Sequence, residues 1–183
     1  MIFGVLLLIA GACGITGCSS GGGDGAPATV VTDSGDTVDD SGLPPDPGEA
    51  GKATLAGIDF NVNKVRDDME IAIYERYPTD EQKRDALMRG AYVLQEAMLI
   101  GGAILDGTGS RDDAFSIDNK TGLLTECFID RFGYDSYKEI GFLESLLVNT
   151  DDRGRAYDMY NASLNGSVSG LPDTDTPCQD IDL

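Results

Sequence analysis

Four cysteines, 32 acidic residues and no histidine set the chemistry open to this chain of 183 residues. Without histidine there is no Ser-His-Asp or Cys-His pair, no imidazole ligand for zinc, and no side chain whose ordinary pKa lies near neutrality. Phosphate-binding loops ending in Lys-Ser or Lys-Thr, a Gly-x-Ser-x-Gly elbow and a Cys-x-x-Cys pair are all missing. The adjacent acids Asp67-Asp68 and Asp112-Asp113 would point to different sides of a helix, so they read as a solvated face rather than a catalytic dyad. A calcium loop alternates oxygen ligands every second residue and closes on a Glu. Asp33, Asp36, Asp39 and Asp40 have the wrong spacing for that. In the segment opened by Asn149, Arg153 takes a ligand position and Tyr160 stands where the closing Glu belongs. The expectation is a non-enzyme with no cofactor and no metal ligand set.

Cys13, Cys18, Cys127 and Cys178 fall into two groups, the first two within the first eighteen residues and the last two beyond residue 120. Residues 2–17 carry no charge, and Phe3 to Ala10 is an apolar run. It is too short for a membrane-spanning helix, which needs about 20 apolar residues, and has the length of a secretory signal's hydrophobic core. Ile15-Thr16-Gly17-Cys18-Ser19-Ser20 follows. This stretch resembles the lipobox of bacterial lipoproteins: aliphatic residue, small residue, Gly, then Cys. The resemblance implies a signal peptide over 1–17, cleavage after Gly17, acylation of Cys18 and attachment to the membrane through that lipid. It also implies an outer-membrane address, because Ser19 and not Asp follows the cysteine. The segment departs from the pattern in having no Lys or Arg ahead of the apolar run.

From Cys18 to residue 55 the composition turns to Gly, Ser, Pro, Thr and Asp, and no basic residue precedes Lys52. Such a stretch buries too little apolar surface to offset its chain entropy, so 18–55 reads as a disordered acidic tether. The net charge of −19 repels nucleic acid, whose binding needs clustered Lys and Arg. It also repels anionic lipid headgroups, which leaves the lipid at Cys18 as the membrane contact.

Residues 56–171 read as all-α, four or five short helices in an antiparallel bundle or orthogonal array. Val62, Val65, Met69, Ile73 and Tyr77 recur at helical steps behind a capping Asn61, with Pro78 as the stop. Thr79 to Gln82 matches a capping box that opens a second helix bearing Leu87, Ala91, Leu94, Met98, Gly101 and Leu105 on one face. Gly101-Gly102 would let another helix approach closely. A third helix over 119–132 turns Leu123, Leu124, Cys127 and Phe128 inward and stops at Gly133. Ser136 to Glu139 forms a second capping box before Ile140, Leu143, Leu146 and Leu147. A fifth helix opens near Thr150 or Asp151 and carries Ala156, Tyr157, Tyr160 and Leu164.

Residues 172–183 form an acidic tail containing Cys178. In an exported chain Cys127 and Cys178 are expected to pair, contributing about 4 kcal/mol by the chain-entropy model, with free thiols as the alternative. Tyrosine suits interfaces because one end is apolar and the other wet; Tyr74, Tyr92, Tyr134, Tyr157 and Tyr160 are the candidates. The layout reads as an exported lipoprotein acting as a non-enzymatic adaptor or structural protein in the cell envelope, with a protein partner there. Binding of a small ligand or cation is the alternative.

Overall fold

The computed structural model describes residues 42–183. The described residues are all-α, with six helices and no strand: α1 Asp67–Arg76, α2 Glu81–Leu105, α3 Arg111–Ser116, α4 Asp118–Phe132, α5 Ser136–Leu147 and α6 Asp151–Ser163, with 3₁₀ turns at Gly48–Lys52 and Gly133–Asp135. None of these helices is long and apolar enough to cross a membrane. The signal segment, Cys18 and the tether up to residue 41 lie outside the described residues.

The longest helix, α2, is the axis on which the rest pack, about 38 Å long at 1.5 Å per residue. Helices α6, α4, α5, α1 and α3 all contact it, α6 most extensively. Its apolar residues are therefore buried on several sides, with Leu87, Ala91, Val93, Met98 and Ala97 fully covered. Leu105, expected inward, is instead exposed at the helix end, where the covering elements stop. Phe128 and Leu143 meet α2 at Gly90, and a side chain there would come within 2.7 Å of both. At Gly101 a Cβ would lie 1.9 Å from the Ala156 carbonyl oxygen. Only a bare backbone lets α6 lie this close, as the Gly-Gly pair suggested.

Local capping differs from the sequence expectation at α2, α5 and α3. Asp80, not Thr79, caps α2, its carboxylate accepting from Lys83 N at 3.1 Å. Ser136 already lies inside α5, and Glu139 turns inward rather than back to a cap: it accepts from Arg76 Nε at 2.6 Å and Nη2 at 2.9 Å, and from the Tyr77 hydroxyl at 3.0 Å. The short helix α3, unassigned from sequence, starts on a reciprocal capping box between Ser110 and Asp113. It brings Ala114 and Ile117 against Ala97 and Tyr160 in a small second core.

Both ends of the described chain are tied down. The last part of the segment assigned to the tether packs on the helices, with Pro44 and Gly51 buried. The packed body thus includes residues ahead of position 56. The tail is held by a disulfide between Cys127 and Cys178, 51 residues apart, with Cα atoms 4.7 Å from each other. Cys178 and Ile181 join the main core, and Arg89 donates to the Ile181 carbonyl.

Candidate functional site

The expected first helix does not begin at Asn61. Residues 58–66 form a loop whose short polar side chains take over the backbone hydrogen bonds a helix would have made. Asp59 Oδ1 accepts from Asn63 N at 3.0 Å and Oδ2 from Lys64 N at 2.8 Å. Asn63 Oδ1 accepts from Val65 N at 2.9 Å. Val62 and Lys64 sit at φ 58° and 73°, left-handed values that cost a β-branched or long residue energy and need such support. Val62 is 81% exposed as a result, while Val65, Met69 and Ile73 keep their places in the core. Gln95 of α2 clamps the loop by accepting from Arg66 N and donating to the Lys64 carbonyl.

Two acids at the start of α1 close this loop. The Asp67 carboxylate takes Phe60 N on Oδ1 at 2.9 Å. Its residue is fully buried and its Oδ2 has no hydrogen-bond partner. Burial pushes its pKa up; the Phe60 amide pulls the other way, and Asp59, Glu70 and Asp68 add to the rise. Glu70, 5% exposed, accepts on Oε2 from the side-chain amides of Asn61 at 3.0 Å and Asn63 at 2.7 Å. The expectation that Asp67-Asp68 is a solvated pair is thus corrected. The two do point apart, but Asp67 faces the loop and Asp68 faces Arg66.

These positions form a twelve-residue register. Asp59, Asn61, Asn63, Val65, Asp67 and Glu70 stand at places one, three, five, seven, nine and twelve, where calcium loops put their oxygen donors. Lys64 occupies the sixth place with the left-handed backbone that glycine supplies there. Among the described residues no three Asp, Glu, Cys or His side chains gather to hold an ion by themselves; half of these donors are amide or carbonyl oxygens. Sequence reasoning missed the segment because Val62, Val65, Met69 and Ile73 carry a helical period straight through it. The alternation of Asp and Asn was the signal.

Behind the loop lie two buried arginines, Arg66 and Arg153. Arg66 holds Asp68 through Nε and Nη2, both at 2.8 Å, and caps α5 at the carbonyls of Leu146 and Leu147. Burial raises the Asp68 pKa, but Arg66 and Asn149 outweigh it and hold the group below its usual value. Arg153 donates to the carbonyls of Gly51, Thr54 and Leu55 and to Asn149 Oδ1. Arg153, in the segment opened by Asn149, thus holds down residues 51–55, the strap that leads into the loop.

The tyrosines separate. Tyr160 is 3% exposed and belongs to the second core. Tyr157 is half-buried, its hydroxyl donating to Glu144 at 2.9 Å. Tyr92 lies under the ammonium groups of Lys64 and Lys120, and Tyr74 under the Arg84 guanidinium. Of the five interface candidates only Tyr134 is fully exposed, at 99%. Tyr137, not singled out from sequence, is 67% exposed beside it, and Ile129 is also open. No protein family, curated protein or solved structure matches this chain.

Proposed function

We propose that this protein is an exported, lipid-anchored envelope protein whose helical domain binds a protein partner without performing chemistry. The lipobox-like segment at Cys18 supports the anchor, and Ser19 supports the outer membrane. The disulfide between Cys127 and Cys178 suits an oxidising compartment outside the cytoplasm. The observation that carries the binding reading is the corner between α4 and α5, where Ile129, Tyr134 and Tyr137 are exposed together on one short stretch of chain. Aromatic side chains presented this way make efficient contact area. The field of −19 charges favours a basic partner. An open cleft of about 450 Å³ beside Leu55, Gly102, Leu105 and Ala156 gives a small-ligand role weaker support, since ligand sites are concave and mostly enclosed.

The test is in-cell crosslinking from the membrane fraction followed by mass spectrometry. One dominant envelope partner that disappears in the Tyr134→Ala/Tyr137→Ala variant is the expected result. Capture unchanged by that variant would refute the corner as the contact. Cys18→Ser should release the protein from the membrane; continued membrane association would refute the lipid anchor.

A further inference from the structure

We infer that residues 59–70 bind a calcium ion, with Asp59, Asn61, Asn63, Asp67 and Glu70 supplying side-chain oxygens and Val65 its carbonyl. This site is separate from the α4–α5 corner and does not depend on it. The first argument is register. All six donor places of the twelve-residue loop hold an oxygen-bearing group, and the closing residue is Glu. The backbone has the matching turn, because Lys64 adopts φ 73° and its amide is held by Asp59.

The second argument is independent of spacing. Asp67 is fully buried with one carboxylate oxygen unpartnered, a costly arrangement for a carboxylate whose loop also carries Asp59 and Glu70. None of Asp59, Asp67 or Glu70 forms an ion pair among the described residues. The two cations nearest in sequence are committed elsewhere: Lys64 over the Tyr92 ring, 5.5 Å from its centroid, and Arg66 to Asp68. A bound cation is the group that would neutralise this cluster. Turning the Asn61 and Asn63 amides to present oxygen gives up their hydrogen bonds to Glu70 and those their oxygens accept from Asn63 N and Val65 N, contacts that bonds to the ion would replace.

The donor chemistry selects the ion. Carboxylate, amide and carbonyl oxygens suit hard cations, and the absence of histidine and of any free described cysteine disfavours zinc and copper. Up to seven oxygens around a twelve-residue loop fit calcium, whereas magnesium demands a tight octahedron and keeps its waters.

The experiment is calorimetric titration of the full-length chain, stripped with chelator and held in detergent, with calcium chloride in about 0.15 M salt, where diffuse attraction to the acidic surface is screened. One saturable equivalent is expected, with Kd between about 0.1 µM and 1 mM, the range spanned by sensor and extracellular loops. Losing a charged ligand in Glu70→Gln should weaken binding at least about 30-fold. Asp112→Asn, an exposed acid on α3, should leave it unchanged. No saturable heat up to about 10 mM calcium, well beyond that range, would overturn the inference. So would equal binding by the wild type and Glu70→Gln, or equal weakening by Asp112→Asn. Because Glu70 also holds two amides of the loop, far-UV circular dichroism must report it folded. Asn61→Ala, at an exposed position, provides a gentler variant: a loss of about 10-fold supports the ligand set, and an unchanged Kd overturns it. Magnesium chloride titrated in the same way should bind more weakly, and equal affinity would overturn the assignment to calcium.

Discussion

Replacing Gly101 by Ala tests the central crossing of the fold. The added Cβ would sit 1.9 Å from the Ala156 carbonyl oxygen and 2.8 Å from Tyr160 N. A carbon needs about 3.3 Å from a carbonyl oxygen, so α2 and α6 must part by about 1.4 Å locally. Both obstructing atoms are backbone, so no side-chain rotation relieves the clash. Even a 0.5–1 Å gap forfeits roughly a quarter to a half of each dispersion contact across it, and this is the most extensive helix pair among the described residues. Overpacking of this kind costs about 3 kcal/mol or more, against a gain of about 1 kcal/mol from putting Ala in a helix. Gly154 on α6 provides the internal control, because nothing lies within 4 Å of a Cβ there. Gly154→Ala should therefore stabilise by about 0.5–1 kcal/mol. Urea denaturation followed by far-UV circular dichroism should give the two variants opposite signs. If Gly101→Ala proves neutral or stabilising like Gly154→Ala, the helices do not cross at backbone contact and the packing argument fails.

Three further outcomes follow from the same packing. Converting both Cys127 and Cys178 to Ala should lower stability by about 4 kcal/mol, given the 51-residue separation; a loss under about 1 kcal/mol in urea melts would mean that the tail's own contacts already constrain the chain. Arg153→Met removes every donor to the carbonyls of Gly51, Thr54 and Leu55 and should cost about 3 kcal/mol, limited because an undocked strap can turn those carbonyls to water. Limited proteolysis should then cut between residues 42 and 58 before it cuts the helices, and cleavage there at the wild-type rate would contradict the role assigned to Arg153. Burial, joined for Tyr157 by the Glu144 carboxylate, raises the phenol pKa values of Tyr157 and Tyr160 above their ordinary value near 10. A raised folded value means the native state keeps a proton that the unfolded chain gives up. Their contribution is whole below pH about 10 and is lost as pH climbs toward the folded values. Urea-derived stability should fall across that window, with a shallower fall in Tyr157→Phe; equal slopes would show that Tyr157 ionises freely in the native protein.

Much of the helical framework was legible because amphipathic periodicity is a local property. Leu123, Leu124, Cys127 and Phe128 were expected inward and are buried, as are Leu143 and Leu147. The same periodicity misled at residues 62–66. There, hydrogen bonds that Asp59 and Asn63 accept from backbone N–H groups win over helical propensity, and Val62 turns to solvent. The two capping boxes read from sequence also went astray. A Ser or Thr three residues before Glu or Gln is a cap only if tertiary packing starts the helix there, and Glu139 is more strongly engaged by Arg76 and Tyr77 across the core. The donor alternation of the Asp59–Glu70 loop lay open in the sequence, obscured by an apolar period that served the core at every step except Val62.

The sequence by itself determined the all-α class, the apolar faces of the helices, the pairing open to Cys127 and Cys178, and the lack of histidine-based chemistry. Each depends on residue type or on neighbours a few positions apart. Only the tertiary structure decided that residues 44–55 pack on the helices, which tyrosines remain exposed, and that Asp67 is buried with an unpartnered oxygen. Those outcomes turn on contacts between distant segments: Arg153 reaches back 102 residues to Gly51, and Gly101 meets Ala156 across two helices. The energy of such contacts depends on desolvation and close packing between particular segments, and the spacing of residues along the chain does not specify which segments meet.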